Sequence, residues 1–207
     1  MPQPGTADAL IAQIRFDAQG LVPCVCQHAA TGEVLMVAWA NADAVRQTVE
    51  SGRATFWSRS RGELWQKGAT SGNHLAVDAL RVDCDGDTLL VEVTPAGPAC
   101  HTGSRSCFGE DGGGVLGRLR ATLAERAGAD PATSYTARML HGPRSYVARK
   151  VGEEAAEVLT EEPGSDALVG EVADLWFHSL LLLARDGRDP LEPLEVLRSR
   201  HLRGGDG

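Results

Sequence analysis

The sequence lacks a surplus of basic residues. Lys and Arg together number 20 against 28 Asp and Glu, which gives a formal net charge of −8 at pH 7. A protein that binds nucleic acid non-specifically normally needs a basic face, so this balance argues against such a partner. Acid-rich chains that handle anionic substrates usually recruit divalent cations instead.

The sequence also lacks the segments that direct a protein to secretion or into a membrane. The N-terminus MPQPGTADAL has neither the basic nor the apolar region of a signal peptide. The most apolar run, residues 175–184, is too short to span a bilayer and follows Glu171 and Asp174. The five cysteines are an odd number, and a reducing compartment disfavours disulfides. We therefore expect a soluble, cytoplasmic protein with free thiols.

A change of pattern divides the sequence into two parts. Before residue 109, short apolar runs alternate with turn signals such as Thr31-Gly32 and Asp85-Gly86, which is typical of hairpins. The stretch GEDGGG (109–114) has no apolar residue and is typical of a linker. After it, apolar residues recur at helical spacing. The sequence predicts an α+β domain at residues 1–110, mostly β and rich in hairpins, followed by an all-α helical bundle at residues 115–207.

Three aspartates in VDCDGD (82–87) form the first candidate metal site. At strand spacing Asp83 and Asp85 share one face, and Asp87 follows closely. Carboxylates this close repel one another unless a cation lies among them, and their hard oxygens suit Mg²⁺. An acidic hairpin turn without any ion is the alternative for this stretch taken alone.

Cysteines supply a second kind of ligand close by. Cys84, Cys100 and Cys107 are three soft ligands, and His101 or water could complete a tetrahedron. Three protein ligands with one open position is the arrangement of catalytic zinc. The alternative is three buried core cysteines, but GPACHTGSRSCF (97–108) is otherwise polar and rich in glycine. The remaining pair, Cys24 and Cys26, alternates like one buried strand face.

A third stretch, WSRSRGELWQKGATSGN (57–73), gathers phosphate-binding chemistry. Arginine forks and backbone amides beside glycine are common ligands of phosphate oxygens. A solvated loop with ordinary surface charge is the alternative. The candidate phosphate-binding residues are Arg59, Arg61, Lys67, Thr70, Ser71 and Asn73.

These three stretches resemble the signatures of phosphoribosyl-AMP cyclohydrolase, an enzyme family of histidine biosynthesis. The resemblance implies that the three cysteines bind Zn²⁺, that the three aspartates bind Mg²⁺, and that zinc-bound hydroxide opens the adenine ring at the N1–C6 bond. It further implies His101 as a proton-transfer residue. A homodimer whose zinc sites draw cysteines from both subunits is also implied. The sequence departs from the family at Trp39, where a tyrosine is usual.

Two acidic groups stand out in the helical part. In EEAAE, Glu157 lies four residues after Glu153 and three residues after Glu154, so the three carboxylates cluster on adjoining helix faces. The cost of one like-charge pair, about 0.2–0.5 kcal/mol, is small enough for a solvated face, which remains the alternative. In ALVGEVADLWFHSLLLLA (167–184), Glu171 and Asp174 lie with His178 on one polar stripe.

That second stretch is apolar nearly all round, which indicates a buried helix. Its buried carboxylates need a positive partner. Buried salt bridges to arginine are one answer, but they seldom repay their desolvation. A Mg²⁺ ion between the two helices is the simpler answer, with Lys150 available for substrate phosphates. The candidate Mg²⁺ ligands are Glu153, Glu154, Glu157, Glu171 and Asp174.

The stretches SYTARML (134–140), RKVGEEAAEV (149–158) and EVADLWFH (171–178) resemble phosphoribosyl-ATP pyrophosphatase, the family that acts one step earlier. The resemblance implies that the carboxylates hold Mg²⁺ on the triphosphate while water releases pyrophosphate, with Glu154 and Glu157 in catalytic roles. It also implies Ser134, Tyr135 and Thr136 as substrate-binding residues. Together the two resemblances imply a bifunctional enzyme whose substrates are phosphoribosyl-ATP and phosphoribosyl-AMP.

Two other interpretations remain open at this point. One is a general nucleotide pyrophosphohydrolase fused to a zinc-dependent, deaminase-like hydrolase. The other is a non-enzymatic dimerisation module stabilised by structural zinc.

Overall fold

A computed structural model describes residues 6–109 and 113–201 of the 207-residue chain. The chain forms two compact units, Met1–Gly117 and Arg118–Gly207. Among the described residues every strand lies in the first unit, and the chain from residue 114 onward is helical. The predicted fold class is therefore confirmed. Half of the predicted linker, residues 110–112, lies outside the described residues.

The first unit is built around a four-stranded sheet. In chain order the elements are α1 Thr6–Ile11, β1 Val22–His28, β2 Val34–Ala40, α2 Ala42–Ser51, β3 Thr55–Ser58, β4 Glu63–Gln66, β5 Leu75–Val82 and β6 Leu89–Pro95. The strands of this sheet stand in the order β2-β1-β6-β5, and a separate two-stranded sheet pairs β3 with β4. Strand β1 runs parallel to β6 and antiparallel to β2, while β5 is antiparallel to β6.

The turns of this unit are those that the sequence predicts. Gly32 and Gly86 adopt left-handed backbone angles between β1 and β2 and between β5 and β6, a conformation that costs glycine little. Asn41 caps helix α2 by accepting a hydrogen bond from the Ala44 amide, and Gly52 ends the helix. The hairpins predicted at Thr31-Gly32 and Asp85-Gly86 are both confirmed.

Strand β1 has one face in the core of the first unit. Its residues alternate between buried and half-buried positions, as expected of a strand with one face in the interior. Cys24 and Cys26 lie on the buried face together with Val22. Burial raises the pKa of the Cys24 thiol to about 12, so this pair is inert core, as predicted.

The second unit consists of helices that pack around a small core. In chain order they are α3 Gly114–Ala127, which begins just before the division between the units, α4 Tyr135–His141, α5 Arg144–Thr160, α6 Asp166–Arg185 and α7 Glu192–His201. Leu123, Met139, Val147 and Leu181 form the buried core. Ser134 and Ser165 cap α4 and α6 by accepting hydrogen bonds from amides three residues on.

The prediction that α6 is a buried helix is wrong for a single chain. Val169 is 69% exposed and Trp176 is 61% exposed, because α6 packs against α4 and α5 and leaves its other face uncovered. The helix Asp166–Arg185 contains an 18-residue window of mean hydropathy 1.5 and is long and apolar enough to cross a membrane by length and composition alone. The shorter apolar run at 175–184 understated that length.

Candidate active sites

The hairpin between β5 and β6 brings the three aspartates together. Oxygens of Asp83, Asp85 and Asp87 lie within 4.8 Å of one another, and all three residues are exposed. The Arg15 Nη2 atom lies 3.3 Å from Asp85 and 3.6 Å from Asp87, so one cation already neutralises part of the cluster. The donor set, all carboxylate oxygens, fits a hard divalent ion.

Backbone hydrogen bonds hold this hairpin in shape. The Thr88 amide donates to the Asp83 carboxylate at 3.0 Å, and the Asp83 amide donates to the Thr88 carbonyl at 3.1 Å. Partial burial raises the pKa of Asp83, but the hydrogen bonds from Thr88 and its neighbours outweigh it, so the pKa lies below its usual range. Asp83 is therefore charged at neutral pH.

Cys100 and Cys107 meet in the loop that follows β6. The Thr102 hydroxyl donates to the Cys100 sulfur at 3.1 Å, and each of the two thiols shifts the pKa of the other. The Thr102 hydrogen bonds lower the pKa of Cys100, whereas partial burial and then the Cys100 charge raise the pKa of Cys107. Two soft donors side by side, one of them favouring the thiolate, fit a zinc ion. His101 Nδ1 lies 3.8 Å from the Cys100 sulfur.

Cys84 does not join this pair within one chain. It lies in the β5–β6 hairpin among the aspartates and is exposed. Among the described residues, no group with ligand atoms within 4.8 Å of one another combines Cys84 with Cys100 and Cys107. A single chain therefore presents a pair of thiols and a separate third thiol.

The predicted phosphate-binding residues spread over several places. Arg61, Thr70 and Ser71 line one open cavity of about 430 Å³ beside Trp65. Arg59 instead stacks on the Trp39 ring, with its guanidinium carbon 4.6 Å from the ring centroid, a cation–π contact.

The other two candidates lie closer to the cysteine loop. Partial burial has the largest effect on the pKa of Cys107 and raises it, whereas the charge of Lys67 lowers it. The Asn73 side chain lies against the backbone of Gly97, where an added Cβ would be 2.4 Å from Asn73 Oδ1. The stretch 57–73 therefore reaches from the Trp39 ring to the cysteine pair.

We expect Gly68→Ala to destabilise the first unit and to lower its activity. Gly68 has φ +80°, and a Cβ there would lie 2.3 Å from the backbone of Asn73 and His74, so the loop must shift. Gly72→Ala is the matched control, because Gly72 has φ +79° but nothing within 4 Å of the added Cβ. The control should show only the left-handed strain of about 1–2 kcal/mol. Thermal unfolding measures both, and equal losses would contradict the expected clash.

The helical unit contains its own carboxylate cluster. Ligand oxygens of Glu154 on α5 and of Glu171 and Asp174 on α6 lie within 4.8 Å of one another. Glu154 is buried, and its Oε1 atom is 2.7 Å from Lys150 Nζ and 3.5 Å from His178 Nδ1. The Lys150 hydrogen bond holds the pKa of Glu154 below its usual range. Glu154 is thus charged, and the carboxylate oxygens of the cluster fit a divalent cation.

The other two predicted ligands of this unit differ from each other. Glu157 is hydrogen-bonded to Glu154, and this bond together with repulsion from Glu154 and Glu171 raises the pKa of Glu157. Glu157 therefore borders the cluster. Glu153 is paired with cations, since its carboxylate lies 3.0 Å from Arg149 Nη1 and 3.2 Å from Lys150 Nζ, which also contacts Glu154.

One of the three signature residues at the start of α4, Tyr135, lies at an open cavity of about 470 Å³. Tyr135 lines it together with Arg138, His141 and Tyr146. Ser134 is occupied as the cap of α4. Two aromatic rings and a guanidinium suit a ligand with both a flat base and phosphate groups.

Sequence reasoning missed two residues of these sites. Arg15, which pairs with Asp85 and Asp87, is 70 residues away from Asp85 in the chain and carries no local signal. Thr102, which donates to Cys100, lies inside the quoted stretch GPACHTGSRSCF. A hydroxyl two residues after a candidate thiolate was the signal that could have identified it.

Comparison with known proteins bears on both units. A family model described as phosphoribosyl-AMP cyclohydrolase matches residues 36–109, and one described as phosphoribosyl-ATP pyrophosphohydrolase matches residues 116–201. Relatives named histidine biosynthesis bifunctional protein HisIE align over most of both chains. The relative from Thermus thermophilus is 46% identical over 92% of this chain and 94% of its own length. That from Escherichia coli is 46% identical over 88% and 92%.

The two family matches contain the sites described above. The match at 36–109 contains the aspartate and cysteine groups, and the match at 116–201 contains the helical carboxylate cluster. The chain therefore belongs to the family of bifunctional histidine-biosynthesis proteins that join a phosphoribosyl-AMP cyclohydrolase to a phosphoribosyl-ATP pyrophosphohydrolase.

Proposed function

We propose that the two units carry out two consecutive hydrolyses of histidine biosynthesis. The helical unit converts phosphoribosyl-ATP and water to phosphoribosyl-AMP and pyrophosphate. The first unit then adds water to phosphoribosyl-AMP and opens its adenine ring. The observation that carries this assignment is that two chemically different groups, carboxylates between helices and a thiol pair in a loop, lie in the two separately matched parts of the chain.

For pyrophosphate release we propose that Glu154, Glu171 and Asp174 hold Mg²⁺, with Glu157 at the edge of the site. The ion neutralises phosphate charge and activates water when it is bound. Glu154 and Glu157 share a hydrogen bond, and the pKa of Glu157 is raised, so this pair can take up the proton of the attacking water. Glu153, kept in the predicted ligand set, would have to leave Arg149 and Lys150 in order to bind the ion.

For ring opening we propose that Cys84, Cys100 and Cys107 hold Zn²⁺ and that Asp83, Asp85 and Asp87 hold Mg²⁺. A zinc ion held there would supply a bound water whose pKa is lowered towards neutrality. The water oxygen becomes the carbonyl oxygen on C6 as the N1–C6 bond breaks, N1 takes up one of the two water protons, and the other goes to the exocyclic nitrogen or to solvent. His101, beside Cys100, is the candidate for moving that proton.

We propose separate roles for the polar residues around these centres. In the first unit Arg61, Thr70 and Ser71 bind phosphate at their cavity. Arg59, Lys67 and Asn73 act nearer to Trp39 and the cysteines. In the helical unit Tyr135 and its neighbours Ser134 and Thr136 bind the substrate end that lies away from the carboxylates, and Lys150 meets the phosphates.

We propose a cytoplasmic homodimer in which each zinc site takes Cys84 from one subunit and the thiol pair from the other. The separation of Cys84 from that pair within one chain supports this arrangement. The exposed apolar residues of α6, such as Val169 and Trp176, support pairing of the helical units as well, because pairing would bury them.

The test gives the purified protein phosphoribosyl-ATP with Mg²⁺ and Zn²⁺ and follows two signals in one tube. We expect pyrophosphate release, then the ultraviolet change of ring opening after a lag. A zinc chelator should stop ring opening first, because the helical cluster contains only oxygen donors. Ordinary dATP or dCTP turned over as fast as phosphoribosyl-ATP would contradict the proposed substrate. Pyrophosphate release without ring opening would contradict the assignment of the first unit.

A further inference from the structure

The loop that carries Cys100 and Cys107 is attached to the beginning of strand β2. Ser106, next to Cys107 in the chain, is 1% exposed. Its hydroxyl donates to the Val34 carbonyl at 2.7 Å and accepts a hydrogen bond from the Phe108 amide at 3.0 Å. One buried hydroxyl thus joins the cysteine loop to the sheet.

Cys107 is fixed from both sides by this arrangement. Its amide donates to the Leu35 carbonyl at 2.8 Å. The Ser106 hydroxyl, just before it, and the Phe108 amide, just after it, are hydrogen-bonded to each other. The same hydroxyl is hydrogen-bonded to the Val34 carbonyl. The Cys107 side chain itself is exposed. The direction of an exposed thiol is therefore set by buried backbone contacts rather than by packing of its own sulfur.

The second thiol is tied to the first through the loop. The Cys100 amide donates to the Ser104 carbonyl at 3.0 Å, and the Ala99 amide donates to the Arg105 carbonyl at 3.1 Å. The Arg105 Nε atom lies 3.6 Å from the carboxylate of Glu33, which is 1% exposed. Glu33 directly precedes Val34, so both anchors of the loop reach the same three residues, 33–35.

We propose that Ser106 is a positioning residue that presets the Cys100–Cys107 pair for its metal ion, with the Glu33–Arg105 contact as a second anchor. The inference rests on the zinc site proposed above. Ser106 contacts no sulfur, so its effect passes through the backbone of Cys107. Ligands held in place before the ion arrives bind it more tightly, since less ordering is left to the binding step. Loss of a partner that orients metal ligands typically weakens metal binding 10- to 100-fold.

The first unit offers a matched control for this role. Thr48 is buried, its hydroxyl donates to the Thr55 carbonyl at 3.1 Å, and it accepts a hydrogen bond from the Thr55 amide at 2.9 Å. It thus makes the same kinds of bonds as Ser106, but between α2 and β3. Ser106→Ala and Thr48→Val each remove a buried hydroxyl and keep the remaining side-chain shape. A general loss of stability affects both variants alike, whereas a positioning role affects Ser106 alone.

The experiment measures Zn²⁺ affinity of the full chain by competition with a chromogenic chelator, and the Co²⁺ absorption spectrum of each variant. Thermal unfolding and pyrophosphate release by the helical unit verify that the chains are folded. We expect Ser106→Ala to bind Zn²⁺ about 10- to 100-fold more weakly and to change the cobalt–thiolate bands. Thr48→Val should bind as the unchanged chain does.

Two results would overturn the inference without touching the proposed function. One is Ser106→Ala with unchanged Zn²⁺ affinity and spectrum. The other is an equal loss in Thr48→Val, which would make the effect one of stability. Cys107→Ala tests the zinc site itself. Undiminished Zn²⁺ binding by that variant would overturn the proposed site, and this inference with it.

Discussion

Glu154→Gln should abolish pyrophosphate release and leave the ring opening of supplied phosphoribosyl-AMP intact. Glutamine keeps the size of the side chain and removes its charge. The buried Glu154 carboxylate contacts Lys150 and lies in one cluster with Glu171 and Asp174, so the proposed ion would lose its most enclosed ligand. Removal of one charged group from a metal-assisted reaction of this kind should lower kcat by at least about 100-fold.

Two neighbouring glutamates sharpen this result. Glu162→Gln, at an exposed position just after α5, is the control and should keep full activity. Glu153→Gln asks a separate question, because Glu153 pairs with Arg149 and Lys150 and is not among the three carboxylates that lie within 4.8 Å of one another. An effect of Glu153→Gln as large as that of Glu154→Gln would mean that Glu153 turns inward when the ion binds. If both hydrolyses fell together in a folded Glu154→Gln chain, the division of labour between the units would be wrong.

Cys84→Ala and Cys107→Ala should each abolish ring opening alone and restore it when the two chains are combined. In a mixed dimer one zinc site has lost ligands from both subunits, but the other retains Cys84 from one chain and the thiol pair from its partner. At equal amounts, half of the dimers are mixed and each has one intact site, so about one quarter of the normal activity should return. The mixture is obtained by co-expression of two differently tagged chains, and the mixed dimers isolated through both tags should show about one half of the normal activity.

The matched control combines Cys100→Ala with Cys107→Ala. Both variants damage the same thiol pair, so no mixed dimer contains an intact site and no activity should return. Pyrophosphate release serves as the internal standard in every sample. Mixed Cys84→Ala and Cys107→Ala dimers that stay inactive would contradict the shared site and would require all three sulfurs to come together within one chain.

Local signals predicted most of the elements but not how they meet. The turns at Gly32 and Gly86 and the cap at Asn41 were predictable because each depends on a few neighbouring residues. Two short helices, α1 and α4, were not predicted, since six or seven residues are too few to show a helical period. The parallel pairing of β1 with β6 has no local signal at all.

The candidate sites divide in the same way. Asp83, Asp85 and Asp87 are close in sequence, so their cluster follows from one hairpin. The contact of Glu154 with Glu171 and Asp174 could be proposed because carboxylates on consecutive helices need a common cation. The attachment of Ser106 to Val34 joins residues 72 positions apart. The exposure of Trp176 could not be predicted, because an apolar sequence does not show whether a helix face is covered within the chain or left exposed.

The parallel pairing of β1 with β6 also governs how the first unit folds. These are the two central strands of the sheet, and Cys24 in β1 pairs with Leu89 in β6. The middle of the sheet therefore cannot form during synthesis until β6 has left the ribosome. Contacts this distant in sequence carry a loop-closure cost and slow folding. The helical unit, whose main contacts join consecutive helices α5 and α6, has no such delay. The two units should therefore fold at different rates, and the cysteine loop, which follows β6, should be among the last parts of its unit to take shape.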